Sequence, residues 1–178
     1  MRRAERRKRL LRGVLLLCIL TLVGSVLLSR FAVTLVTVRT GSMRPTLEQG
    51  TVLLCRNQPG DSLQRGDLAL FRCERQLMIR RVIALAGDQV EITEEGQVLV
   101  NEQPLSEPYA LPGESISTEA YPLTVPKDTL FVLADYRSGT LDSRNAAFGV
   151  VPTASVRGTP WLVLWPLFRF GPVAEAAP

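Results

Sequence analysis

The chain has no histidine among its 178 residues and only two lysines, Lys8 and Lys127. The first absence excludes a serine nucleophile served by imidazole, because a Ser-His-Asp arrangement would have nothing to take the proton. The second leaves little room for a neutral amine in that role, which needs a lysine whose pKa is depressed by burial. Three cysteines are too few for a disulfide scaffold. Cys18 falls in an apolar run, and Cys55 and Cys73 can pair only if their separate strands are neighbours in an oxidising compartment. Helical periodicity is nearly absent after residue 40. βαβ units are absent with it, which argues against a parallel doubly wound sheet. A second long apolar run is also missing: WLVLWPLFRFG has eight apolar residues before Arg169 and includes Pro166. It reads as a buried strand whose tryptophans pack, or else rest at a membrane surface.

What is present is unevenly distributed. Residues 1–12, MRRAERRKRLLR, hold seven basic residues and one acid, a charge of +6, which leaves −2 for the rest of a chain whose net charge is +4. The next seventeen residues, Gly13 to Ser29, carry no charge. As a helix they span about 25 Å, slightly less than the roughly 30 Å hydrocarbon layer. FAVTLVTV beyond Arg30 stays apolar, so the helix is expected to continue into it, with Arg30 snorkelling outward. Basic residues before the run place the N-terminus in the cytoplasm and the body across the membrane. The same continuation argues against nucleic acid as the partner of the basic tail. LLSRFAVT is a poor small-x-small site for a cleaved leader. The basic cluster and all-round hydrophobicity disfavour a buried helix of a soluble protein. The expected organisation is a basic cytoplasmic tail (1–12), an anchor and flank (13–38) and an extracytoplasmic body (39–178).

The body reads as strands and turns. Strands are expected at 51–57, 67–73, 78–86, 89–93, 97–101 and 129–135, with EEG closing a hairpin and a loop-rich excursion at 102–128. The fold class is mainly β, an antiparallel body after one transmembrane helix. Within TGSMRPTLEQG, Ser42 sits in an open, glycine-flanked position before a turn set by Pro45. Composition alone favours an ordinary juxtamembrane turn there. A nucleophilic reading needs a base.

GSMRPTL (41–47) resembles the nucleophile box of the bacterial type I signal peptidases, membrane-anchored serine endopeptidases. Four further segments are similar to that family's boxes in order and approximate spacing: RGDLALF (65–71), MIRRVIALAGD (78–88), LADYRSGTLDSRNAAFGVVP (133–152) and WPLFRFG at the end. The resemblance implies cleavage of signal peptides from exported preproteins at the outer membrane face, without metal or cofactor. Its implied partners are those signal peptides, membrane lipid and the secretion machinery. It makes Ser42 the nucleophile, and gives the oxyanion hole to the Ser42 backbone N–H and the Thr40 hydroxyl. Thr140 matches the hydroxyl that bonds the catalytic amine. Asp142 and Arg144 match the charged residues that brace the site together with Arg81, and Asp135 is structural. Met43 and Pro45 would shape substrate contact. Ile79 and Ile83 are candidates for shallow pockets taking small side chains, with the substrate docked as an added strand.

The departures bear on activity. The position matching the family's catalytic lysine is Arg80, whose five N–H donors come with no lone pair to accept a proton. Ala134 and Tyr136 stand where the family has Gly and Asn, and Ala84 and Ala86 where it has Gly and Pro. Lys127 lies before the strand expected at 129–135, which is about seven residues and over 20 Å long, so it is not expected to reach Ser42. Asp135 or Asp142 could act as base only in an unusual environment. Two functions therefore stand open: a signal peptidase, or an inactive relative that binds or helps assemble translocated chains.

Overall fold

The computed structural model describes residues 13–22, 33–111, 117–118 and 120–173. The chain divides into two compact units, Met1–Ala32 and Val33–Pro178. In the first, residues 13–22 are helical. Among the described residues no helix is long and apolar enough to cross a membrane. The expected basic tail and most of the second half of the expected span lie outside the described residues.

Among the described residues, the second unit is built of two antiparallel sheets. The larger contains β1 (Val33–Thr37), β2 (Val52–Arg56), β3 (Leu68–Cys73), β4 (Gln76–Leu85), β9 (Thr129–Leu133), β10 (Val151–Pro152), β11 (Val156–Trp165) and β12 (Gly171–Pro172). Its order is β1-β2-β11-β3-β4-β9-β10, with β12 also on β11. The smaller has the order β7-β6-β5-β8, from β5 (Gln89–Ile92), β6 (Val98–Val100), β7 (Gln103–Pro104) and β8 (Leu123–Thr124). The excursion at 102–128 thus supplies two short strands that complete this sheet.

Residues 33–37 correct the expected continuation of the anchor helix. VTLVT forms β1, paired with β2 from Val33↔Arg56 to Thr37↔Val52. Four of its five residues are β-branched, and exposure alternates along it, the period of a strand with one covered face. The tryptophans also differ from the packing expected. Trp161 and Trp165 lie on β11 but are about half exposed, at 51% and 55%, because the inward positions go to Gly158, Pro160 and Val163.

Val38, Met43, Leu47, Leu70, Ile79 and Ala134 belong to the core cluster beside the Ser42 turn. Phe71, Val82, Val132 and Val156 form a second cluster, where Phe71 meets Phe148 edge-on at 6.3 Å between ring centroids. Ile83, Val90, Val100 and Phe131 form a third. Each such large side chain contributes roughly 1.5–3 kcal/mol on burial.

β11 crosses β2 so closely that a Cβ on Gly158 would lie 2.1 Å from the Arg56 carbonyl oxygen, at φ +156°. Gly158→Ala should therefore cost well over about 1 kcal/mol, read as a lower thermal midpoint by near-ultraviolet circular dichroism. Cys55 (β2) and Cys73 (β3) are both free, and β11 lies between their strands. Burial pushes the Cys55 thiol up to about 12. A thiol reagent at mildly alkaline pH should modify Cys73 in the native protein and reach Cys55 only after unfolding, as mapped by peptide mass.

Candidate active-site cleft

The loop joining β1 to β2 is closed at its base by Val38 N–H donating to Thr51 O (2.8 Å) and Gly50 N–H donating to Val38 O (2.9 Å). Its turn is held by Leu47 N–H on Met43 O (2.8 Å), and both side chains are buried in the adjoining core. Tyr136 N–H donates to Ser42 O (2.9 Å), tying the loop to the segment after β9. Ser42 is thereby fixed at the wall of a cleft of about 490 Å³ that Thr40, Met43, Ile79 and Arg80 also line. Pro45 is exposed and Ile83 belongs to the core beside the small sheet, so neither of these two candidates lines the cleft.

The cleft runs between two strand edges. β9 pairs with β4 only from Arg81 to Leu85, so among the described strands Gln76–Arg80 are bonded to β3 alone. β1 ends the sheet. Leu35–Val38 and Leu77–Arg80 both face the cleft, and two unpaired edges flanking a slot suit an extended peptide.

The adjacent arginines of β4 enter different surroundings, as strand alternation requires. Arg81 is 1% exposed and grips Asp135 through two bonds, Nε–H to Oδ1 (2.8 Å) and Nη2–H to Oδ2 (2.6 Å). It also donates to Gly66 O (2.8 Å) and lies 3.9 Å from the centroid of the Tyr109 ring. Arg80 turns to the cleft. Its Nη1 donates to Ser42 Oγ (2.9 Å) and Ile79 O (2.7 Å), while Nε and Nη2 both donate to Leu141 O (3.0 and 2.8 Å). Burial lowers the Arg80 pKa from the ordinary arginine value, with the Asp142 charge opposing.

Ser42 Oγ and Thr40 Oγ1 are 3.0 Å apart. Among the described residues, the polar side chains on Ser42 Oγ are this hydroxyl and the Arg80 guanidinium. Neither is a base. Lys127 is exposed before the opposite end of β9.

The bracing charges resolve into separate pairs instead of one group around Arg81. Asp142 takes Arg144 at two positions, Nε to Oδ1 and Nη2 to Oδ2, both 2.8 Å. It also accepts the Ala134 N–H (3.0 Å). The Thr140 hydroxyl donates to Tyr136 O (2.9 Å) and accepts from Arg144 Nη2 (3.2 Å). The Leu141 carbonyl, not that hydroxyl, holds Arg80. Sequence reasoning had no means to find a main-chain acceptor of this kind. Tyr109 was likewise hidden in a segment without periodicity.

A family model described as "Signal peptidase, peptidase S26" matches residues 9–165. The chain belongs to this signal peptidase family. Signal peptidase I of Mycobacterium tuberculosis (strain ATCC 25618 / H37Rv) is 32% identical over 119 residues, 57% of this chain and 40% of the relative. The chain thus spans well under two thirds of that relative's length. Signal peptidase I of Bacillus amyloliquefaciens is 30% identical over 159 residues, covering 83% of this chain and 84% of the relative. Mitochondrial inner membrane protease subunit 1 of Xenopus tropicalis is 32% identical over 140 residues, 76% and 71% of the two chains. A crystal structure of a signal peptidase I from Enterococcus faecalis V583 superposes with a TM-score of 0.47 at 31% identity, covering 55% of this chain and 96% of that one. This signal peptidase family member is mainly β with antiparallel sheets, and its cleft places a donor against the serine.

Proposed function

We propose that this signal peptidase family member binds signal peptides of exported preproteins as an added strand in the cleft and does not cleave them. In this reading Ser42 holds the nucleophile position, and Thr40 with the Ser42 N–H holds the oxyanion hole. Arg80 occupies the place of the general-base lysine, while Arg81, Asp135, Asp142, Arg144 and Thr140 are structural. One N-terminal span keeps the N-terminus cytoplasmic and the body outside, at the lipid surface. The exposed side chains of Trp161, Trp165, Leu167, Phe168 and Phe170 suit that apposition.

The observation that carries the proposal is the Arg80 Nη1 donor 2.9 Å from Ser42 Oγ. Acyl transfer requires the serine proton to leave as Oγ attacks the scissile carbonyl, and the acid that forms must later protonate the leaving amine. An ordinary guanidinium has a pKa far above neutrality, so it stays protonated and offers no lone pair to take the serine proton. Burial lowers that pKa, but the Asp142 charge opposes the shift. Arg80 can strengthen the oxyanion site, yet it cannot start the reaction.

Cleavage is the second reading, favoured by the Ser42–Thr40 pair at 3.0 Å. The two are separated by incubating the full chain in detergent with a preprotein bearing an Ala-x-Ala site, beside Ser42→Ala. The expected result is retention of intact preprotein by both proteins. Ser42-dependent release of the mature chain by the unmodified protein would overturn the proposal.

A further inference from the structure

Among the described residues, four arginines are at least nine-tenths buried: Arg80, Arg81, Arg137 and Arg144. Three of them have a carboxylate partner. Arg81 takes Asp135, Arg144 takes Asp142 and Arg137 takes Glu107. Among the described residues, Arg80 meets only neutral acceptors, namely Ser42 Oγ, Ile79 O and Leu141 O. It is 5% exposed, and it is the only one of the four that lines the cleft.

A buried cation without a counter-charge is unfavourable unless something supplies the anion. Asp142 raises the Arg80 pKa through space, against the burial that lowers it, but its oxygens are already spent on Arg144 and the Ala134 N–H. The four bonds of Arg80 use four of a guanidinium's five N–H groups, which leaves one on Nη2. The Ser42 and Thr40 hydroxyls add rotatable donors on the same wall. Among the described residues no acidic side chain lines the cleft, whereas Arg39, Arg72 and Arg75 do, all three exposed. Their charge draws anions toward the mouth.

We propose that Arg80, with the Ser42 hydroxyl, forms a receptor for the terminal carboxylate of a peptide lying in the cleft. The two strand edges would hold the peptide backbone, and the chain end would stop at Ser42, where its carboxylate supplies Arg80's missing partner through charge-assisted bonds. No bond forms or breaks. The ligand is a chain already cut, so an endoproteolysis elsewhere must supply it. The inference rests on the peptide-binding reading above and deepens it. What would have been a site for a transient oxyanion becomes a site for a permanent anion.

Three short fluorescent peptides test it, with the full chain in detergent and anisotropy as the readout. One ends in Ala-Gln-Ala as the free acid, the second is its C-terminal amide, and the third is an amide whose last residue is aspartate. The free acid is expected to bind at least about tenfold tighter than either amide, and Arg80→Gln should reduce that ratio toward one. The comparison on the unmodified protein stands even if that variant folds poorly. Equal binding of acid and plain amide overturns the carboxylate receptor while leaving the peptide cleft intact. Binding of the aspartate amide as tightly as the acid overturns the terminal assignment in favour of a side-chain carboxylate. Failure of all three peptides to bind overturns the peptide-binding reading itself, and the receptor with it.

Discussion

Arg80→Lys is expected to create Ser42-dependent cleavage of an Ala-x-Ala preprotein, at a rate at least about 10² above the unmodified chain. The side chain is shorter, but its amine replaces a guanidinium whose Nη1 already sits 2.9 Å from Ser42 Oγ. The burial that lowers the Arg80 pKa would act in the same direction on a lysine there, whose ordinary value is about 10.4. Activity requires the neutral amine, so the rate should rise with pH up to the depressed amine pKa and level off above it. Ala134 is buried in the adjoining core, so Ala134→Gly is included in a second variant to give the amine room. Both variants should lose cleavage when Ser42→Ala is added. Folded but inactive single and double variants would show that position 80 is not the base position.

The second large effect is on stability. Arg81→Met should destabilise the body by about 3–5 kcal/mol, because it leaves the Asp135 carboxylate buried without its partner. Both side chains are essentially inaccessible, at 1% and 0% exposure. The pair also links β4 to Thr46 of the serine turn, which donates to Asp135 and accepts from Arg81, so loosening of that turn should accompany the loss. Chemical denaturation followed by tryptophan fluorescence reads the first effect, and limited proteolysis near residues 40–50 reads the second. Combining Arg81→Met with Asp135→Leu should recover a substantial part of the loss, since two buried charges are then replaced by apolar volume. Equal destabilisation by single and double variants would argue that the lost bonds to Gly66 and Thr46 dominate.

Much of the β body was legible in the chain because its strands are short, β-branched and bounded by Gly-Asp and similar turns. The strand expected at 129–135 is observed at Thr129–Leu133, and that at 67–73 at Leu68–Cys73. Residues 33–37 were misjudged because the apolar stretch was read as a continuation of the preceding apolar run, and its β-branched composition was given no weight. Only pairing with β2, some twenty residues on, makes it a strand.

The sequence by itself determined that no imidazole is present and that lysine occurs only twice, at Lys8 and Lys127. These are facts of inventory and hold in any fold. It also put two guanidiniums side by side at 80 and 81. The resemblance set Arg81 among the bracing charges, but its pairing with Asp135 was a matter for tertiary structure, since the two are 54 residues apart in the chain. The same folding committed Asp142 to Arg144, and turned a main-chain carbonyl of the 134–144 segment toward Arg80. Long-range pairing decides where a buried charge finds its partner, and among the described residues it leaves one buried arginine, at the serine, without a carboxylate.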